Sequence, residues 1–279
     1  TTSREIPTGD GGFGSGIEVA PRKAIIVCVR EEAPRSFDMG RAAGVICHIS
    51  SIPGAKLGKP ARDFVDYLES AGMTLWQVLP LNPTGLGGSP YSSNSAFAGN
   101  VDFVNYEELP SSTGYWEFFE ENKFWLNDYV AYLSEKKFVA EGQHLTEEEK
   151  ADILVNQYYF AAQWSELKEY ANSRGIKLIG DLPVFVSADS ADVWANRGLF
   201  QIEEDGRQRC HAGVPPDYFS PEGQDWGNPL YDWDAMKADG YDWWVRRLKQ
   251  CMERYDIVRL DHFRSFSEYY AIPDGGTPA

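Results

Sequence analysis

Asp256-Ile257-Val258-Arg259-Leu260-Asp261-His262-Phe263-Arg264 is the stretch that decides how the chain folds. Ile257, Val258 and Leu260 make a short apolar run bounded by charge, which reads as a buried strand of a parallel sheet. Residues two apart on a strand point to one face, so Arg259 and Asp261 stand together. A guanidinium beside a carboxylate favours its ionised form. An ionised carboxylate at the carboxyl end of a parallel strand has the character of a covalent nucleophile. A structural salt bridge at a strand end accounts for the same nine residues.

Working outward, Asp242 is placed to cap a helix whose apolar positions include Trp244, Leu248 and Cys251. Helix then buried strand is one unit of an α/β fold. The same unit recurs upstream. Gly44 to Ile49 reads as a first buried strand, and Pro60 to Ala71 as a helix with Phe64, Leu68 and Ala71 on one face. Leu75 to Leu79 reads as a second strand, ended by Pro80. Glu120 to Lys137 reads as a helix. Thr146-Glu147-Glu148-Glu149 is a capping box that opens a long helix through Tyr158, Trp164 and Leu167 to Ser173. Ile176 to Leu182 reads as a third strand, with Asp181 near its carboxyl end. Ala24 to Val29 is a candidate extra strand. Four strands separated by helices, with polar groups at carboxyl ends, follow the pattern of a (β/α)8 barrel, of which about the first four strands are countable.

Two long irregular stretches separate these units. Asn82 to Asn100 carries Tyr91 in a polar loop just past a strand's carboxyl end, suited to stacking on a substrate or to covering the core. Asn196 to Asp234 carries Asp217, Tyr218, Phe219, Trp226 and Asn228. Rings for apolar sugar faces and amide or carboxylate groups for hydroxyls are the chemistry of carbohydrate binding.

The chain has 279 residues, 43% hydrophobic and 14% aromatic, enough for a sizeable core. Its formal net charge is -16, from 26 Lys and Arg against 42 Asp and Glu. That balance argues against nucleic acid and anionic membrane surfaces as partners. No apolar run approaches the roughly 18 residues of a membrane span. Cys28, Cys47, Cys210 and Cys251 have no paired spacing and read as reduced thiols. Cys47-His48 and Cys210-His211 lack a second ligand pair, so no metal or other cofactor is expected. Gly9 to Gly16 neither follows a strand nor opens a clear helix, so it is not a phosphate loop. The polar, Gly-rich start does not read as a signal peptide. Residues 1–40 form an irregular segment. Residues 41–279 form the barrel part, with a helical subdomain inserted around 105–170.

Several blocks in order carry a resemblance: His48-Ile49-Ser50-Ser51, Trp76 to Leu81, Ser89-Pro90-Tyr91, Gly180-Asp181-Leu182-Pro183, Asp189 to Trp194, Ala212 to Ser220, Trp226 to Tyr231, and Val258 to Arg264. Over roughly Arg41 to Pro273 the chain resembles the 4-alpha-glucanotransferases, the amylomaltase or disproportionating-enzyme family of the alpha-amylase clan. The resemblance implies a retaining transfer of alpha-1,4-glucan segments between maltooligosaccharides, in the cytoplasm or a plastid. It implies Asp261 as nucleophile, with Arg259 beside it and His262 contacting the donor sugar. Tyr91, Asp181, Asp217, Tyr218, Phe219, Trp226 and Asn228 fall at substrate-binding positions. The family's general acid after the fifth strand and its third carboxylate after the seventh have no counterpart here. The expected partners are therefore glucan substrates and the remaining half of the barrel, as a further segment or chain. A clan hydrolase and a non-catalytic glucan-binding fragment are the alternatives.

Overall fold

The computed structural model describes residues 40–278, so the candidate strand at Ala24 to Val29 and the segment 1–39 lie outside it. In chain order the elements are β1 (Gly44–Ile46), α1 (Lys59–Ser70), β2 (Leu75–Gln77), α2 (Tyr115–Glu141), α3 (Glu147–Ser173), β3 (Lys177–Leu182), α4 (Ala191–Ala195), β4 (Cys210–Val214), β5 (Gln224–Pro229), α5 (Trp233–Ala238), α6 (Asp242–Arg254), β6 (Ile257–Leu260) and β7 (Tyr270–Pro273). β1, β2, β3 and β6 pair in that order, all parallel. Each crossover carries a helix, as parallel pairing requires.

α3 packs on this sheet by its expected face, and α1 by Ala61, Val65 and Leu68. Of the expected α1 face Phe64, Leu68 and Ala71, only Leu68 is buried, and Ala71 lies past the helix end. Val65 and Leu68 of α1 join Phe160, Trp164 and Leu167 of α3, and Trp76, Ile176 and Leu178, in one buried cluster. The carboxyl half of α3 therefore belongs to the β2–β3 crossover. Its capping box is formed, with Thr146 and Glu149 bonding each other's backbone. Gly180 in β3 is dictated by packing. A Cβ there would lie 2.1 Å from the Tyr255 ring, closer than any real contact. A second cluster joins Trp125 and Tyr129 of α2 to Phe97, Phe200, Tyr231, Trp243 and Trp244.

Four further expectations are corrected. β1 is not buried: Gly44 and Ile46 are exposed, because β1 pairs on one side only among the described residues. β6 is half-buried for the same reason, with β3 its sole neighbour there. Asp242 does not cap α6. It is the first helical residue and pairs with Arg246 at 2.7 Å, while the Asp239 carboxylate accepts its backbone N–H at 3.3 Å. The stretch 196–234 is not irregular throughout. β4 and β5 form an antiparallel ribbon, joined by β7 on the other side of β4. Cross-strand pairing held this ribbon together where its sequence shows no apolar alternation.

Candidate active site

The register of the parallel sheet sets the site. Asp181 of β3 lies opposite Arg259 of β6, and the Asp261 N–H donates to the Leu182 carbonyl at 2.9 Å. Three side chains meet at these carboxyl ends. Arg259 Nη1 donates to Asp181 Oδ1 at 2.6 Å, and Nη2 donates to Asp261 Oδ1. The period-two expectation for Arg259 and Asp261 is met. The Tyr91 hydroxyl donates to the other Asp181 oxygen at 2.7 Å. The result is a linear chain, Tyr91–Asp181–Arg259–Asp261.

Burial divides labour along that chain. The Asp181 side chain is 1% exposed and both oxygens are engaged, whereas Asp261 is 35% exposed. Asp181 is thus an anchor and Asp261 the carboxylate presented to solvent. Burial and the bond to Asp181 push the Tyr91 phenol up, so it stays a donor at neutral pH. Burial works against the Arg259 charge, yet its bond to Asp181 and the two carboxylates hold its pKa above the ordinary value.

His262 follows in the left-handed region, at φ 50, where the strand has ended. The ring meets Trp226 edge-to-face at 4.9 Å between centroids. Burial lowers the His262 pKa against the opposing field of Asp261, which favours neutral imidazole. Trp226 is partly exposed, and Asn228 donates to the Val186 carbonyl at 2.7 Å. Asn228 thereby ties β5 to the segment that follows β3.

Asp217, Tyr218 and Phe219 stand apart on the β4–β5 loop. Asp217 Oδ1 accepts from the Phe219 and Ser220 backbone at 2.9 and 2.8 Å. Tyr218 and Phe219 project 95% and 87% exposed. No hydrogen bond or ring contact among the described residues links this loop to Asp261.

Sequence inspection missed Arg247. It is 3% exposed on α6 and donates to the Pro183 carbonyl at 2.6 Å and to the Val184 carbonyl at 3.1 Å. It braces the turn directly after Asp181. A cation inside the stripe Trp243, Trp244, Arg247, Leu248, Cys251 was the available signal, since an Arg on an apolar face needs an internal partner.

A parallel α/β sheet with ion-paired carboxylates at its carboxyl ends defines the class: an α/β protein with an enzyme-like site at the strand ends. Comparison then fixes the family. The chain belongs to the glycoside hydrolase 77 family, described as 4-alpha-glucanotransferase, whose profile matches residues 47–114 and 109–279. It is 36% identical over 310 residues to a 4-alpha-glucanotransferase of Streptococcus pneumoniae, covering 86% of this chain and 61% of that protein. A Thermus thermophilus 4-alpha-glucanotransferase is 37% identical over 306 residues, covering 85% and 61%. The chain thus spans about three-fifths of the length of these curated relatives. Among solved structures, an amylomaltase from Streptococcus agalactiae in complex with acarbose is 33% identical, with TM-score 0.75 over 86% of this chain and 63% of that one. An amylomaltase from Corynebacterium glutamicum, 16% identical, shares the fold at TM-score 0.71 over 85% of this chain and 43% of that one.

Proposed function

We propose that this chain carries the nucleophile half of a 4-alpha-glucanotransferase site, moving alpha-1,4-glucan segments between maltooligosaccharides. The observation that carries this is the chain Tyr91–Asp181–Arg259–Asp261, which ends in a carboxylate paired with Arg259 and open to solvent. Retaining transfer needs such a nucleophile and an acid about 5–5.5 Å from it. Asp261 attacks the anomeric carbon as the acid protonates the departing glycosidic oxygen, and a sugar hydroxyl, giving its proton back to that group, then displaces Asp261. Glu268 and Asp274 are exposed and face Arg264 and Arg207. Neither serves as the acid. The acid belongs to the part of the family's length that this chain does not match, supplied as a further segment or chain.

In the same proposal, the four parallel strands are the first part of a (β/α)8 barrel, and the α2–α3 pair is its helical insertion. Trp226, His262 and Asn228 bind the donor glucan with Tyr91, and Tyr218 and Phe219 fold over it. Excluding water favours transfer over hydrolysis. No helix among the described residues is long and apolar enough to cross a membrane. A cytoplasmic or plastid setting matches the relatives, among which a Solanum tuberosum protein is named chloroplastic/amyloplastic.

Maltotriose separates the alternatives. A transferase releases glucose and makes longer glucans, a hydrolase makes only shorter products, and a binding fragment makes neither. In the assembled enzyme Asp261→Asn is expected to lower transfer at least about a hundredfold, as loss of a covalent nucleophile does, with glucan affinity held within a few-fold. Transfer above that level excludes Asp261 as nucleophile.

A further inference from the structure

β3 ends at Leu182, and the segment Pro183 to Val186 that follows it lies in no sheet. Among the described residues, the hydrogen bonds to its backbone come from side chains alone. Arg247 donates to the Pro183 and Val184 carbonyls, the Tyr231 hydroxyl donates to Val184 at 2.7 Å, and Asn228 holds Val186. Arg247 also donates to the Tyr231 hydroxyl at 3.3 Å. Of the three side chains, Arg247 takes two carbonyls at once, as a planar fork of donors can. Its guanidinium lies over the Trp243 and Trp244 rings at 5.2 and 4.9 Å and feels the buried Asp192 carboxylate. A buried cation persists where such bonds replace water.

The segment carries Phe185, which is buried. Its ring stacks on Tyr231 at 6.2 Å and meets both His262 and Trp226 at 6.4 Å. His262 and Trp226 in turn meet each other at 4.9 Å. No hydrogen bond or ring contact among the described residues joins Arg247 to either of them. The connection runs through the backbone it clasps and the ring that this backbone carries. In a close-packed interior, a shift of that backbone is passed to the rings resting on Phe185.

We propose that Arg247 is a positioning residue of the donor site: by clasping the two carbonyls before Phe185, it fixes the ring against which His262 and Trp226 rest. This rests on the reading of His262 and Trp226 as donor-site residues, and adds a group that acts without touching the sugar. Asp181 does not depend on it, being held in β3 by the register with β6 and by Tyr91 and Arg259. Loss of Arg247 therefore weakens substrate binding and spares the attack by Asp261.

The test joins NMR titration of the histidines to maltotriose kinetics in the assembled enzyme. Burial lowers the His262 pKa, opposed by Asp261 and reinforced by Arg264. Burial also holds His48 at about 4, where it packs on Phe103 of the other core cluster. In Arg247→Met, His262 is expected to titrate closer to the ordinary 6.5 while His48 stays in place. KM is expected to rise about fivefold or more, with kcat held within about twofold. Arg247→Lys keeps the charge but not the fork, and is expected to fall between. Phe185→Leu leaves the Arg247 charge in place and is expected to move His262 the same way. Combined with Arg247→Met it adds little, because both act through one ring. Phe185→Leu and Arg247→Lys keep the test open where Arg247→Met does not fold. His48 and His262 rising together overturns the proposal, because the whole fold has then loosened. So does an unmoved His262, a fall in kcat at unchanged KM, or full additivity of the two substitutions, which makes charge rather than the ring the cause. The titration needs no substrate: a wild-type enzyme that transfers no glucan overturns the glucanotransferase reading, and the His262 signal still decides the role of Arg247.

Discussion

Removing the Tyr91 hydroxyl tests whether Asp181 is an anchor held by two donors. Tyr91→Phe deletes one oxygen from a ring that is partly exposed, so it opens no core cavity. The loss falls on Asp181, whose carboxylate is enclosed and keeps only the Arg259 bond at 2.6 Å. A hydrogen bond to a charged, buried acceptor contributes about 1.5–3 kcal/mol. Arg259 is half-exposed and already holds Asp261 with its other nitrogen, so little of this is recovered. The assay is urea unfolding of wild type, Tyr91→Phe, Asp181→Asn and the double variant. Tyr91→Phe is expected to lose about 1.5–3 kcal/mol, and most of that as coupling to Asp181. A coupling energy below about 0.5 kcal/mol, with an unchanged urea slope, refutes the anchored chain and makes the Tyr91–Asp181 contact incidental.

Burial pushes the Asp192 carboxyl up to about 6 from 3.8, so its contribution to stability is present below pH 3.8 and lost as pH rises through 6, a swing of about 3 kcal/mol. Burial also lowers His48 to about 4 from 6.5, and its contribution is present above 6.5 and lost as pH falls through 4. Asp192→Asn should therefore lose stability more steeply than wild type between pH 6 and 4, read from urea midpoints; equal slopes exclude burial of an ionisable Asp192. Thr146→Ala should cost about 1 kcal/mol, since it removes the side-chain half of the capping box on α3, and an unchanged melting midpoint would show the cap to be idle. Gly180→Ala should prevent native folding, because its methyl meets the buried Tyr255 ring; native-like near-ultraviolet circular dichroism in that variant would show that the ring can yield.

The sequence alone determined what depends on neighbours within one element. Strand period placed Arg259 and Asp261 on one face, and the structure joins them. Thr146 and Glu149, three apart, specified the start of α3, because a capping box is closed within four residues. The apolar positions Trp164 and Leu167 identified the face that packs on the sheet. Tertiary structure decided everything that needs a partner far along the chain. β1 and β6 read as buried because their residues are apolar, but burial of a strand is set by its neighbours on both sides. The β4–β5–β7 ribbon was silent, since its stability lies in cross-strand pairs that no local pattern displays. Asp181 was visible as a carboxylate at a strand end. Only the register with β6 and the return of the Tyr91 loop made it an enclosed anchor, leaving Asp261 as the exposed carboxylate of the pair. The distinction between those two aspartates is a matter of solvation, which local sequence does not encode.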